Sequence, residues 1–162
     1  MALNAYLKLK GNKQGEIKGS VTQRGRADSI MVIGVNHDIT SPRDQASGLP
    51  TGKRQHKPLI ITKEVDKSTP LLMNALVNNE QITEWKLEFW TPDPGGVEKQ
   101  HYTIELTNAQ IAEIRLEMLN NKYPENMPHK EREYIAFTYQ KITWTWMDGG
   151  ITATDDWEAP VV

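Results

Sequence analysis

The stretch ITEWKLEFWTPDPGGVEKQHYTIEL, residues 82–106, decides the fold class. Trp85, Leu87 and Phe89 alternate with Glu84, Lys86 and Glu88, the period of a half-buried strand. Pro92-Asp93-Pro94-Gly95-Gly96 then supplies turn residues that cannot continue a ladder. From Val97 the alternation resumes and puts Tyr102, Ile104 and Leu106 on one face. Two such runs joined by such a turn predict a β-hairpin.

The same period extends outward in both directions. Leu3, Ala5, Leu7 and Leu9 alternate with Asn4, Tyr6, Lys8 and Lys10, and the β-branched runs Ser29–Val35 and Leu59–Val65 predict more central strands. In Glu133–Met147 the residues Ile135, Phe137 and Tyr139 share one parity, whereas Ile142, Trp144 and Trp146 share the other. A switch near Gln140-Lys141 predicts a bulge, or a strand whose halves serve different packing surfaces. Asn108–Leu119 fits either period, through Ile111, Ala112, Ile114 and Met118 or through Ala112, Ile114, Leu116 and Met118, and is assigned as strand. The total is seven or so strands. One helix is expected over about 69–79: Ser68 as cap, Pro70 in the first turn, Leu71, Leu72, Ala75 and Leu76 as the apolar stripe, Asn78-Asn79 as the stop. The fold class is therefore mainly β, an antiparallel barrel or sandwich with one short flanking helix.

Length and composition agree with one domain spanning 1–162. A chain of 162 residues buries roughly 70% of its unfolded surface, enough for one core. The net charge of −2 gives no basic coat for nucleic acid. The absence of cysteine removes disulfides, thiolate zinc sites and a cysteine nucleophile. No basic segment followed by an apolar run marks a signal peptide at the N-terminus, and no apolar run is long enough to span a bilayer, so no membrane insertion is expected.

Catalytic motifs fail one by one. Gly48-Leu49-Pro50-Thr51-Gly52-Lys53-Arg54 has the look of a phosphate loop, but its glycine spacing is one short and Arg54 stands where Ser or Thr must hold magnesium. The histidines His37, His56, His101 and His129 lie apart without metal-ligand spacing. Asp155 and Asp156 are neighbours, not facing carboxylates. Trp144 and Trp146 could form a stacking platform for a sugar or base in a ligand-binding β-barrel, but large aromatics more often belong to a core. No catalytic residue, cofactor or metal is assigned.

Charge and polarity are more informative. Residues 36–57 form a long stretch without period, and from Ser41 to Lys57 the bases Arg43, Lys53, Arg54 and Lys57 face a single acid, Asp44. Between Asp148 and Glu158 the acids Asp148, Asp155, Asp156 and Glu158 have no basic partner. Opposite charges on different faces make a chain complementary to copies of itself, in a head-to-tail contact that generates rings or filaments.

The run Thr51-Gly52-Lys53-Arg54-Gln55-His56-Lys57-Pro58-Leu59, with Ile61-Thr62-Lys63 and Asp66-Lys67-Ser68-Thr69-Pro70-Leu71-Leu72 after it, resembles the haemolysin-coregulated protein (Hcp) family, the tube proteins of bacterial type VI secretion systems. The opening Ala5-Tyr6-Leu7-Lys8-Leu9-Lys10-Gly11, the strand Phe137–Trp144 and the tail Gly150-Ile151 with Asp155-Asp156-Trp157 resemble it too. That resemblance implies a phage tail-tube-like fold and a structural protein, not an enzyme. It implies homohexameric rings stacked into a hollow tube, a spike protein at the tip, a sheath around it and effector cargo inside. It implies synthesis in the bacterial cytoplasm and secretion through the type VI system. A viral tail-tube subunit is the alternative within the same fold. The loop 36–57 is then expected to touch neighbouring subunits through Arg43, Asp44, Gln45, Thr51, Lys53, Arg54 and His56, with Asp148, Asp155, Asp156 and Glu158 as the acidic counterpart on the adjacent ring.

Overall fold

The structure is a computed structural model that describes residues 3–159. In chain order, β1 (Ala5–Gly11) and β2 (Gly15–Ile17) precede β3 (Ile30–Val32), β4 (Gly34–Asn36), β5 (Ile39–Thr40), β6 (Gln55–His56) and β7 (Leu59–Glu64). Helix α1 (Thr69–Val77) follows, then β8 (Ile82–Pro92), β9 (Glu98–Thr107), β10 (Gln110–Glu117), β11 (Arg132–Thr138), β12 (Lys141–Trp146) and β13 (Ile151–Asp156). They form two antiparallel sheets and a small ribbon. The larger sheet runs β13-β12-β9-β8-β1-β2, with β3 also beside β1; the second runs β10-β11-β7-β4; β5 and β6 pair only with each other. The sandwich with one flanking helix is the expected fold class.

Cross-strand rows explain the core. Leu7, Leu87, Ile104 and Trp144 stand opposite one another, as do Leu9, Trp85, Leu106 and Ile142. Across the interior, Ile111, Phe137 and Leu59 form one row of the second sheet and Ile114, Ile135 and Ile61 another. Trp85 meets Phe137 edge-on at 5.4 Å between ring centroids, tying the two layers together.

The hairpin of residues 82–106 is present as β8 and β9, with a bulge between Phe89 and Trp90. The parity switch at Gln140-Lys141 is not a bulge. The chain crosses there from the second sheet (β11) to the first (β12), so its halves do serve different surfaces. Ser29–Val35 likewise divides at the exposed Ile33 into β3 and β4, one in each sheet. The ambiguous 108–119 segment is strand β10, and its register slips between Ile111 and Glu113. That slip turns Ile111 and Ile114 to the same side, which is why the sequence there mimics a helical period. Against the expected seven or so, the described residues hold thirteen strands, because segments divide at corners and the short strands β2, β5 and β6 lie in polar sequence.

At α1, Leu72 and Ala75 are buried and Asn79 takes a left-handed conformation at the stop, with φ 49°. Ser68 occupies the cap position, but its side chain makes no cap hydrogen bond and binds Asp66 instead. What anchors this end is a fully buried lysine. Lys63 Nζ donates to Glu133 Oε2 at 2.7 Å, to Asp66 Oδ1 and Thr69 Oγ1 at 3.1 Å, and to the Glu64 carbonyl at 3.0 Å.

Candidate functional site: the arm and its base

The long polar stretch is a hairpin arm rather than an irregular loop. β5 and β6 form its lower ladder, and a bridge between Arg43 and Pro50 continues the pairing outward. The tip turns through Asp44-Gln45-Ala46-Ser47-Gly48. Asp44 Oδ2 accepts from the Ser47 amide at 2.8 Å and from its hydroxyl at 2.6 Å, and Gly48 supplies the left-handed residue with φ 73°. Those two hydrogen bonds hold the Asp44 carboxyl below the usual carboxylate range. Arg43, Asp44, Gln45, Thr51 and Lys53 are all exposed. At the very tip Leu49 is 65% exposed, an apolar side chain with no cover from its own chain.

The base of the arm is built differently. Arg54 Nε donates to Asp155 Oδ2 at 2.5 Å, Nη2 to the Asp156 carbonyl at 2.6 Å and Nη1 to the Ala159 carbonyl at 3.2 Å. His56, buried, brings Nε2 to Asp155 Oδ2 at 2.6 Å and Nδ1 to the Tyr139 hydroxyl at 2.7 Å. On the other side of that hydroxyl, His37 Nε2 lies at 2.8 Å. Trp157 stacks on His56 with 5.3 Å between centroids and meets Tyr139 edge-on at 5.2 Å.

Register explains why a carboxylate sits here. Asp155 stands opposite Ile142, so it continues the row of Leu9, Trp85 and Leu106 on the core-facing side of the sheet. A carboxylate at the end of an apolar row needs partners, and the arm brings them. Arg54 first, and His56 with it, hold Asp155 below the usual carboxylate range. Burial, reinforced by the charge of Asp155, pushes the Tyr139 phenol well above its ordinary value.

Arg54 and Asp155, expected to meet across rings, thus meet within one chain. Arg54 donates from Nε, Nη1 and Nη2 to the tail of its own subunit, and Asp155 accepts there from Arg54 and faces His56, so the two are already partners within the subunit. His56 belongs to the same internal cluster. Asp156 gives its carbonyl to Arg54, while Asp148 and Glu158 remain exposed. The part played by His37 and Tyr139 is not visible in the spacing of the histidines. The one available signal is Tyr139 itself, which shares the core parity of Ile135 and Phe137 and carries a hydroxyl that burial obliges to find partners.

Asp155, His56 and Tyr139 have the order of a catalytic triad, but the Tyr139 hydroxyl is enclosed between two imidazoles and the residue is only 5% exposed. Both hydrogen-bonding directions of that hydroxyl are taken by the imidazoles. Among the described residues no three His, Asp or Glu side chains are grouped to hold a metal. The tryptophan pair is divided: Trp144 packs against the core, and Trp146, 47% exposed, has the edge of His101 against it. They do not form a two-ring platform.

Residues 6–146 match the family described as "Type VI secretion system effector, Hcp". The chain belongs to the Hcp family. It is 40% identical over 170 residues to the "Major exported protein" of Pseudomonas aeruginosa, across 99% of each chain. Among solved structures it is similar to one described as an Hcp protein (TM-score 0.89, 31% identity, 97% of this chain and 99% of that one). It is also similar to the secreted protein Hcp3 of Pseudomonas aeruginosa (TM-score 0.79, 32% identity, 96% and 99%). As an Hcp protein it is a type VI secretion protein of a structural family rather than of an enzyme family.

Proposed function

We propose that this protein is the tube subunit of a type VI secretion system. Six copies close into a ring, the rings stack into a hollow tube, and a contractile sheath expels the tube with a spike at its tip and effectors in its lumen. Membership of the Hcp family carries the reading. Two features of the fold support it. Among the described residues strand β13 has β12 on one side and no strand on the other, and its sequence Ile151-Thr-Ala-Thr-Asp-Asp has no Pro or Lys to blunt pairing with another chain. The arm projects an exposed apolar tip flanked by Arg43 and Lys53, suited to contact a copy in the next ring.

Size-exclusion chromatography with light scattering tests the assembly. A ring of six at micromolar concentration and moderate salt is the expected result, and a monodisperse monomer overturns the reading. Against a viral tail-tube subunit, the match is to the type VI family. Against a ligand-binding barrel that uses Trp144 and Trp146 stands the packing of Trp144 against the core, which leaves only Trp146 well exposed.

A further inference from the structure

The hydroxyl of Tyr139 lies between two imidazoles, and its hydrogen-bonding capacity limits how many protons they can carry. Asp155 is ionised and can only accept, so His56 Nε2 carries a hydrogen. With both histidines neutral, His56 Nδ1 is an acceptor. Tyr139 donates to it, and the Tyr139 oxygen accepts from His37 Nε2–H. One added proton is accommodated by reversal: His56 Nδ1–H donates to Tyr139, which donates to His37 Nε2. Every group still has a partner. A second proton breaks the arrangement. Both imidazoliums then point hydrogens at one oxygen, the hydrogen of the buried Tyr139 has no protein acceptor left, and two positive charges flank the same atom. The phenol cannot resolve the conflict by ionising, because burial opposes its charged form.

We propose that the base of the arm is a proton-operated latch, closed while His37 and His56 hold at most one extra proton and opened when both are charged. Charged groups pack on it from several sides. Burial and the charge of His56 hold His37 below the ordinary imidazole range, while Asp38 and the backbone of Lys57 act in the opposite sense. His56 faces Asp155, shared with Arg54, and the ring of Trp157. Asp156 stands beyond it, opposite Lys141 and within 3.4 Å of Gln140. His56 Nδ1 and His37 Nε2 flank one hydroxyl from opposite sides, so the second proton opens the base whichever ring took the first. What opens is the arm, because His56 is a residue of β6 and His37 leads into β5.

The sign follows from linkage. A histidine whose folded-state titration lies below its unfolded value stabilises the closed form above that range and loses the contribution as pH falls. Opening then takes up about one proton between the ordinary imidazole range and the lowered closed-state titration of His37, so the open fraction rises about tenfold per pH unit as pH falls through that window and levels off below it. This count follows from the hydrogen bonds around the Tyr139 hydroxyl; only a consequence for ring stacking rests on the tube reading.

Hydrogen exchange of the full chain, followed by mass spectrometry on peptides covering residues 36–57 between pH 7.5 and pH 5 and corrected for intrinsic rates, reads the latch directly. Wild type is expected to lose arm protection by about tenfold per unit in the lower part of that range. His37→Gln keeps an N–H for Tyr139 but takes no proton, so its arm should stay protected throughout. Tyr139→Phe removes the shared hydroxyl, and its arm should exchange fast at every pH. Constant protection in wild type, or a pH response that survives His37→Gln, overturns the latch. Tube length by electron microscopy on the same samples separates the two readings: an arm that opens on tubes that stay long supports the latch and counts against the arm's role in stacking.

Discussion

Arg54 and Asp155 lie 101 residues apart in the chain and share a hydrogen bond of 2.5 Å. The bond joins the arm to the last strand of the larger sheet, so the direction in which the arm leaves the body is set inside the subunit. A tube subunit benefits from this. An arm already oriented has less conformational freedom to lose when it meets a neighbour.

Asp155→Asn tests that link. The amide keeps an acceptor oxygen but loses the charge that draws Arg54 and His56 together. Charge-assisted hydrogen bonds of this kind contribute about 1.5–3 kcal/mol each when enclosed. Here both side chains keep some solvent contact, 20% for Arg54 and 29% for Asp155, so about 1–2 kcal/mol is expected. Thermal unfolding should fall by a few degrees, at about 2–4 °C per kcal/mol for a chain of this size. No change within 1 °C removes the link from the account.

The same carboxylate gives the fold an acid limb separate from the histidine latch. The Asp155 titration is lowered in the folded state, so its contribution is full above the ordinary carboxylate range and is lost as pH falls through the lowered value. Wild type should therefore lose melting temperature on acidification below about pH 4 more steeply than Asp155→Asn. Parallel curves for the two proteins between pH 5 and pH 3 contradict the assignment.

Much of this was legible in the sequence and some was not, for physical reasons. Alternation in 82–106 and in the first strand is a local property, and both are strands where the period placed them. The arm was legible as a segment, because its polarity and lack of period exclude a core strand. Its hairpin form was not, since β5 and β6 have two residues each and pair across the whole insertion. The inward face of Asp155 depends on the register of β13 on β12, which no composition of the tail reveals. A run of acids reads as a solvated face, and one member of this run closes a core row.

Lys63 offers a prediction of larger size. Its ammonium and the Glu133 carboxylate are 0% and 1% exposed. Lys63→Met leaves Glu133 buried without its cation, and losing one partner of a buried pair costs about 3–5 kcal/mol. Replacing both, as Lys63→Met with Glu133→Leu, should recover most of the loss, since an apolar pair of similar volume can be neutral. Urea unfolding of the two variants decides it. A single variant as stable as wild type shows that the pair contributes little.

The contacts that stack rings should come from the outer arm, with the base setting the arm's direction. A deletion of 45–55 removes Arg54 and so mixes two effects, whereas shortening the tip between Gln45 and Gly52 leaves Arg54, His56 and the β5–β6 ladder in place. The tip residues are exposed, with Leu49 at 65%, so the shortened protein should melt within about 1 °C of wild type, because surface changes away from the core are small. If the tip binds the next ring, such rings should form and fail to lengthen into tubes under electron microscopy. Charge reversal refines the test. Arg54 is engaged internally, so the available cations of the outer arm are Arg43 and Lys53, both exposed and without an ion pair among the described residues. Exposed pairs contribute at most about 1 kcal/mol each, but a ring repeats each contact around its circumference. Screening over about 8 Å at physiological ionic strength means the contribution must weaken as salt rises. Arg43→Glu with Lys53→Glu should therefore shorten tubes at low salt, leave rings intact, and differ less from wild type at 1 M salt. Equal tube lengths for both proteins at low salt leave Leu49 and the arm backbone, rather than charge, to hold one ring to the next.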